Sequence, residues 1–171
     1  MPPFATDDLE SRLGGSPRVA VVGLGYVGLP LAVAMAESGA EVVGLDVLED
    51  RVESVARGES HVGDVPASAL EPLVSGDAPR LRATTDFDEL GAVDVAIVCV
   101  PTPLRRTKDP DISHVVEASQ QVARRARPGQ LIVLESTTYP GTTEDVLVPL
   151  LRERGLEPGR DACVAFSPER V

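Results

Sequence analysis

The chain has 171 residues, 43% of them apolar, with no tryptophan and a formal charge of −11, long enough to bury ~70% of its extended surface without disulfide staples. The acidic balance argues against nucleic acid or an anionic membrane surface as partner, but not against an anionic cofactor, whose binding is set by the local field at its site. Cys99 and Cys163 have no metal or redox spacing and lie in apolar runs, which predicts buried thiols in a reducing cytoplasm, and the absence of an h-region or an apolar run of about 18 residues predicts neither secretion nor a membrane span.

Residues 1–17 are polar and punctuated by Gly and Pro. They are expected to form a flexible N-terminal arm, although Thr6–Leu13 is compatible with a turn of helix. Val19–Val22 is an unbroken, β-branched-rich run, the pattern of a strand buried on both faces. It breaks into Gly23-Leu24-Gly25-Tyr26-Val27-Gly28, a G-x-G-x-x-G, and then into a helix over Val27–Ser38 with Val27, Leu31, Ala34 and Met35 at helical spacing. Gly23 permits a tight turn, Gly25 admits a pyrophosphate close to the backbone, and Gly28 lets helix and strand pack closely. The helix N-terminus then offers N–H groups and partial positive charge to the phosphates. Pro30 falls in the first turn, where its missing N–H is harmless. Glu41–Leu45 reads as a second strand ending in Asp46, a carboxylate placed to hydrogen-bond the adenosine ribose and to repel a 2′-phosphate, which favours NAD over NADP.

Leu48–Arg57 is expected as a helix ended by Gly58. Arg51 then either leans over the adenine edge of the cofactor or is a solvated helix charge. A short helix is expected near Pro66–Val74, a third strand at Arg80–Thr84, and a cap formed by Thr85 and Asp88. Asp94–Val100 is expected as a fourth, fully buried strand running into the stiff segment Pro101-Thr102-Pro103. Leu104–Pro110 is a charged loop, and Asp111 should cap a helix over Ile112–Arg127 with Val115, Val116, Val122 and Ala123 on one side. Gln130–Glu135 is a fifth strand, followed by Ser136-Thr137-Thr138-Tyr139-Pro140-Gly141-Thr142. A helix from Thr143 to about Arg154 should be kinked or split at Pro149, and Ala162–Phe166 is a sixth strand. His61 and His114 read as surface or loop residues.

Six strands alternating with helices define an α/β class, a doubly wound parallel sheet (Rossmann) with the economical order 3-2-1-4-5-6. In such a sheet the ligand crosses the C-terminal strand ends at the switch between strands one and four. The loops at Gly23–Gly28, Asp46, Pro101–Pro103, Ser136–Thr138 and Ser167–Arg170 should therefore converge there.

GLGYVGLP, CVPTP, ESTTYPGTT and FSPERV, in this order, closely resemble the N-terminal NAD-binding domain of the UDP-glucose/GDP-mannose dehydrogenase family. Within it, PTPLRRTKDPDISHV and LESTTYPGTTEDV are most similar to UDP-N-acetylglucosamine and UDP-N-acetylmannosamine 6-dehydrogenases of bacterial polysaccharide synthesis. The resemblance covers residues 18–171 as an NAD-binding domain, and implies a connecting helix and substrate domain that these residues do not contain. It implies NAD as cofactor, a UDP-sugar as substrate partner, oxidation of the C6 alcohol to a uronate by two NAD, and a cytoplasmic, homo-oligomeric full-length enzyme. Carried over by motif, Gly23, Leu24, Gly25, Tyr26, Val27 and Gly28 hold the pyrophosphate. Asp46 takes the ribose, Arg51 lies by the adenosine, and Pro101, Thr102, Ser136 and Thr137 line the cofactor. Thr137 and Glu169 are the implied catalytic pair, Thr137 holding water and Glu169 acting as general base in hydrolysis of a thioester on a cysteine of the absent domain. Glu169 is otherwise a surface carboxylate on a final loop. No metal is implied. The alternatives are a non-catalytic NAD-binding sensor or scaffold, which needs neither Thr137 nor Glu169, and a β-hydroxyacid-type dehydrogenase, which does not explain CVPTP together with SPER.

Overall fold

The computed structural model describes residues 6–103 and 110–168. Six parallel strands form one sheet: β1 (Arg18–Val22), β2 (Glu41–Leu45), β3 (Leu81–Thr84), β4 (Val95–Val98), β5 (Leu131–Glu135) and β6 (Cys163–Ser167). Their spatial order is β3-β2-β1-β4-β5-β6, the order expected from the alternation of strands and helices. β1 lies centrally, with Val22 paired to Leu45 on one side and to Val98 on the other. The chain reverses direction across the sheet at that point, leaving a crevice above the C-terminal ends of β1 and β4.

Helices cover both faces. On one side α2 (Gly28–Glu37) buries Leu29, Ala32, Val33 and Ala36, together with α4 (Ala67–Val74) through Leu70. On the other, α5 (Ser113–Arg125) buries Val115, Ala118, Val122 and Ala123, and α6 (Val148–Glu153) adds Leu151. α3 (Glu49–Ala56) packs at the β3 edge through Val55. The stripe expected on α2 lies one step off the buried one: Val27, Leu31 and Met35 are only partly buried and Ala34 is exposed. α2 is apolar nearly all round, so spacing alone does not choose a face. Contact of Gly28 with the β1 turn chooses it.

Three local expectations are corrected. Residues 6–13, read as part of a mobile arm, form helix α1 (Thr6–Leu13). It is held by buried Leu9 and by Arg12, which donates to Asp94 Oδ1 at 2.6 Å and to the Gly129 carbonyl at 2.6 Å. The turn after β3 is capped by Asp86, whose Oδ1 accepts the Asp88 N–H at 2.9 Å, and not by Thr85. That cap opens a 3₁₀ turn, Phe87–Ala92. Cys163, expected to be buried, is only half-buried, whereas Cys99 is 5% exposed.

Other local expectations match the fold. Asp111 Oδ1 accepts the Ser113 N–H at 3.1 Å at the start of α5. The segment with Pro149 is split into a π turn, Thr143–Leu147, and α6, with Pro149 in the first turn of α6, where it removes no needed N–H.

Candidate cofactor site

The glycine loop is shaped by sterics at two positions. Gly23 has φ of +96°, and a Cβ there would lie 2.6 Å from the Cys99 carbonyl oxygen. At Gly28 a Cβ would lie 1.7 Å from the Gly23 carbonyl oxygen. Helix α2 thus starts hard against the strand it leaves, and only glycine fits. Gly25 is the opposite case, since a Cβ built there meets nothing within 4 Å. The space beside Gly25 is the cradle a pyrophosphate requires, and its lack of a side chain serves access and not internal packing. At the start of α2 the Leu29 N–H goes to the Gly25 carbonyl and the Leu31 N–H to the Val27 carbonyl, both at 3.1 Å, so what α2 offers an anion beside Gly25 is chiefly the positive end of its dipole. The residues therefore fit a dinucleotide.

Asp46, at the end of β2, is 5% exposed. Its Oδ2 accepts the Leu24 N–H at 2.9 Å and Arg51 Nη1 at 3.3 Å, and its Oδ1 accepts the Leu48 N–H at 3.0 Å. A carboxylate this buried is tolerable because two N–H groups and a guanidinium balance it. Three of about four acceptor positions are used, and the fourth, on Oδ1, suits a ribose hydroxyl. Asp46 thus does two jobs, and the second, holding the glycine loop through Leu24, was not foreseen.

Two connected hollows flank Gly25. One, of about 310 Å³, is lined by Gly23, Gly25, Asp46, Val47, Leu48, Arg51, Phe87, Val100, Pro101 and residues of α5. Val47 is 78% exposed at its lip, and its mostly apolar walls suit an adenine ring. Phe87, His114, Glu117 and Gln121 belong to this wall and escaped sequence reading. Phe87 comes from a turn after β3, and the α5 residues lie far along the chain, so no local pattern joins them to the loop. The second hollow, of about 260 Å³, is lined by Gly25, Tyr26, Val27, Arg51, Cys99, Val100, Pro101, Thr102, Glu135, Ser136 and Thr137. A larger hollow of about 490 Å³ lies at the opposite end, among Arg18, Glu41, Arg80, Arg82 and Glu89 at the strand N-termini. The switch-point crevice and the glycine loop are elsewhere, and the chemistry follows them.

The structure brings Gly23, Gly25, Tyr26, Val27, Asp46, Arg51, Pro101, Thr102, Ser136 and Thr137 to these two hollows. Ser136 is buried and donates its hydroxyl to the Val100 carbonyl at 3.1 Å, which ties the loop after β5 to the loop after β4. Thr137 is exposed beside it. Leu24 departs from expectation: its side chain is fully buried against Gly44, its N–H goes to Asp46, and its carbonyl goes to His61. It anchors the loop from within. Glu169 lies outside the described residues. Among the described residues no cluster of His, Cys, Asp and Glu could hold a metal, and no helix is long and apolar enough to cross a membrane.

A doubly wound sheet with this loop, this buried acid and this crevice defines a dinucleotide-binding domain. Residues 17–171 match the UDP-glucose/GDP-mannose dehydrogenase family, NAD binding domain, and the chain belongs to that family. It is 39% identical over 155 residues to UDP-N-acetyl-D-glucosamine 6-dehydrogenase of Pseudomonas aeruginosa, a match covering 90% of this chain and 35% of that protein. The UDP-D-ManNAc dehydrogenase structure from Pyrococcus horikoshii superimposes with a TM-score of 0.82 at 38% identity, covering 90% of this chain and 36% of that one. GDP-mannose dehydrogenase from Pseudomonas aeruginosa, solved as a ternary complex, gives 0.82 at 30% identity, again over 90% and 36%. The chain therefore spans about 35% of the length of the curated relatives it matches.

Proposed function

We propose that this domain serves an NAD-dependent dehydrogenase that oxidises the C6 alcohol of a UDP-sugar, a UDP-N-acetylhexosamine, to the uronate with two NAD. The observation that carries the reading is the convergence of the open Gly25 cradle, buried Asp46 and the 101–102 and 136–137 segments on one crevice. The names of the relatives supply the substrate class. Bound NAD would supply the hydride acceptor. Asp46 Oδ1 holds a ribose hydroxyl, the loop N–H groups hold the pyrophosphate, and Arg51 covers the adenosine side. Thr137 holds water, and Glu169 takes a proton from it. That assignment of Glu169 rests on the Ser-Pro-Glu-Arg motif.

The acidic chain has no nucleic-acid or membrane partner in this reading. The full-length enzyme is a homo-oligomer in the cytoplasm, the compartment favoured by two cysteines that form no disulfide. The sensor or scaffold reading leaves Thr137 and the Ser-Pro-Glu-Arg motif without a task.

The test has two parts. Calorimetry on the 171-residue protein should show NADH bound in preference to NADPH. With UDP-N-acetylglucosamine and NAD it should show no turnover, because an oxidation that passes through an aldehyde needs a covalent anchor, and Cys99 is 5% exposed while Cys163 lines neither hollow. In a protein of the relatives' full length, Glu169→Gln should accumulate a covalent enzyme–sugar adduct visible by mass spectrometry, and Thr137→Ala a smaller amount. NAD reduction by the 171-residue protein itself, or normal rates without adduct in Glu169→Gln, would overturn these assignments.

A further inference from the structure

Leu24 is gripped from three directions. Its N–H donates to Asp46 Oδ2 at 2.9 Å, its side chain fills the hollow over Gly44, and its carbonyl lies 2.7 Å from His61 Nε2. The third contact comes from outside the strand–loop–helix unit. His61 stands on the connection between α3 and α4, which is pinned by buried Val62 and Val65 and by the Ser60 hydroxyl, which accepts the Val62 N–H at 3.1 Å. A carbonyl oxygen only accepts, so His61 Nε2 must carry the proton.

The consequence lies on the far side of the same peptide. The Leu24 carbonyl and the Gly25 N–H belong to one planar trans unit and point in opposite directions. Holding the carbonyl toward His61 turns the Gly25 N–H away from it, toward the side where Gly25 lines both hollows of the crevice. Gly25 has no Cβ and little steric resistance to rotation about its own φ, so nothing on the Gly25 side opposes a flip of this peptide.

We propose that His61 is a positioning residue for the cofactor's diphosphate: by holding the Leu24 carbonyl it keeps the Gly25 N–H aimed at the pyrophosphate. The role rests on the reading of this loop as the pyrophosphate site. His61 lines neither hollow and acts only through the Leu24 carbonyl, so its contribution falls on the diphosphate and not on the nucleoside.

The experiment compares NADH, ADP-ribose and adenosine by calorimetry on wild type, His61→Phe and His61→Gln, with ¹⁵N NMR of the wild-type imidazole. His61→Phe keeps a ring and loses the donor, and should weaken NADH and ADP-ribose about fivefold to tenfold with adenosine unchanged. His61→Gln restores an N–H donor and should return both to within about twofold of wild type. The NMR spectrum should show the neutral ring protonated on Nε2, a readout independent of whether His61→Phe folds. Unchanged NADH affinity in His61→Phe, equal loss for adenosine and NADH, no recovery in His61→Gln, or an Nδ1-protonated ring would each overturn the proposal. If the wild type binds adenosine but neither ADP-ribose nor NADH, the pyrophosphate site itself is misplaced and the role of His61 falls with it.

Discussion

The two halves of the crevice are built differently. On the glycine-loop side β1 and β2 are buried from their second residue onward, and Leu24, Asp46, Arg51 and His61 are tied by short bonds. On the other side β5 alternates between buried and half-buried residues, and no residue of β6 is fully buried. Phe166 is 47% exposed and Tyr139 is 44% exposed. There the Ser136 hydroxyl ties the loop after β5 to the Val100 carbonyl. The first half is a finished binding surface. The second positions backbone segments around an open hollow.

The sharpest way to break the first half is Gly28→Ala. Its Cβ would sit 1.7 Å from a backbone oxygen, with no flexible side chain to give way, so a loss of about 3 kcal/mol or more is expected, read as a large drop in Tm or loss of soluble protein. Gly25→Val separates binding from folding. With open space around the new side chain, Tm should move little while NADH affinity falls by a hundredfold or more, about 3 kcal/mol. Wild-type binding by this variant would move the phosphate site elsewhere.

Asp46→Ala should come next, at about 1–3 kcal/mol of binding. It removes the ribose acceptor, releases the Leu24 N–H and leaves Arg51 unpaired, so calorimetry should show weaker NADH binding and a narrowed preference over NADPH. Arg12→Ala probes the far end of the sheet. Losing its bonds to Asp94 and the Gly129 carbonyl should lower stability by about 1 kcal/mol with NADH affinity unchanged, which would show that the bottom of the sheet is energetically separate from the crevice.

The smallest effect concerns the turn before β6. The Arg160 guanidinium, followed by the Glu157 N–H, holds the Asp161 carboxyl below its ordinary value, and Arg152 does the same for Glu157. Groups whose folded pKa is depressed contribute stability above their unfolded values and lose it as pH falls through the folded ones. Acidification below about pH 4 should therefore loosen this turn, seen as faster amide exchange at Glu157, and Asp161→Asn should flatten that pH dependence.

Much of the fold is legible in the chain because the strands of a doubly wound parallel sheet are short apolar runs, and Val19–Val22, Glu41–Leu45 and Val95–Val98 are such runs between glycine and proline boundaries. The glycine loop and Asp46 are legible for a related reason: strand, turn, helix and acid are adjacent in sequence, so spacing alone carries their geometry. Helix faces were less legible. α2 is apolar on nearly every side, and the steric contact of Gly28 picks the buried one. Polar contacts between distant segments left no local trace at all. Arg12 reaching Asp94 and Gly129, Phe87 and α5 closing the adenine wall, and His61 reaching Leu24 each join residues brought together only by chain crossing.

The sequence by itself therefore determined the sheet, its order and the place of the glycine turn after β1, because periodicity and glycine placement act over a few residues. Only the tertiary structure decided which polar groups hold that turn in place. Asp46 uses most of its acceptors on the protein itself, Leu24 faces inward, and a loop histidine bonds the Leu24 carbonyl. A hydrogen bond needs its partners within about 3 Å, and for these groups the fold alone supplies that distance.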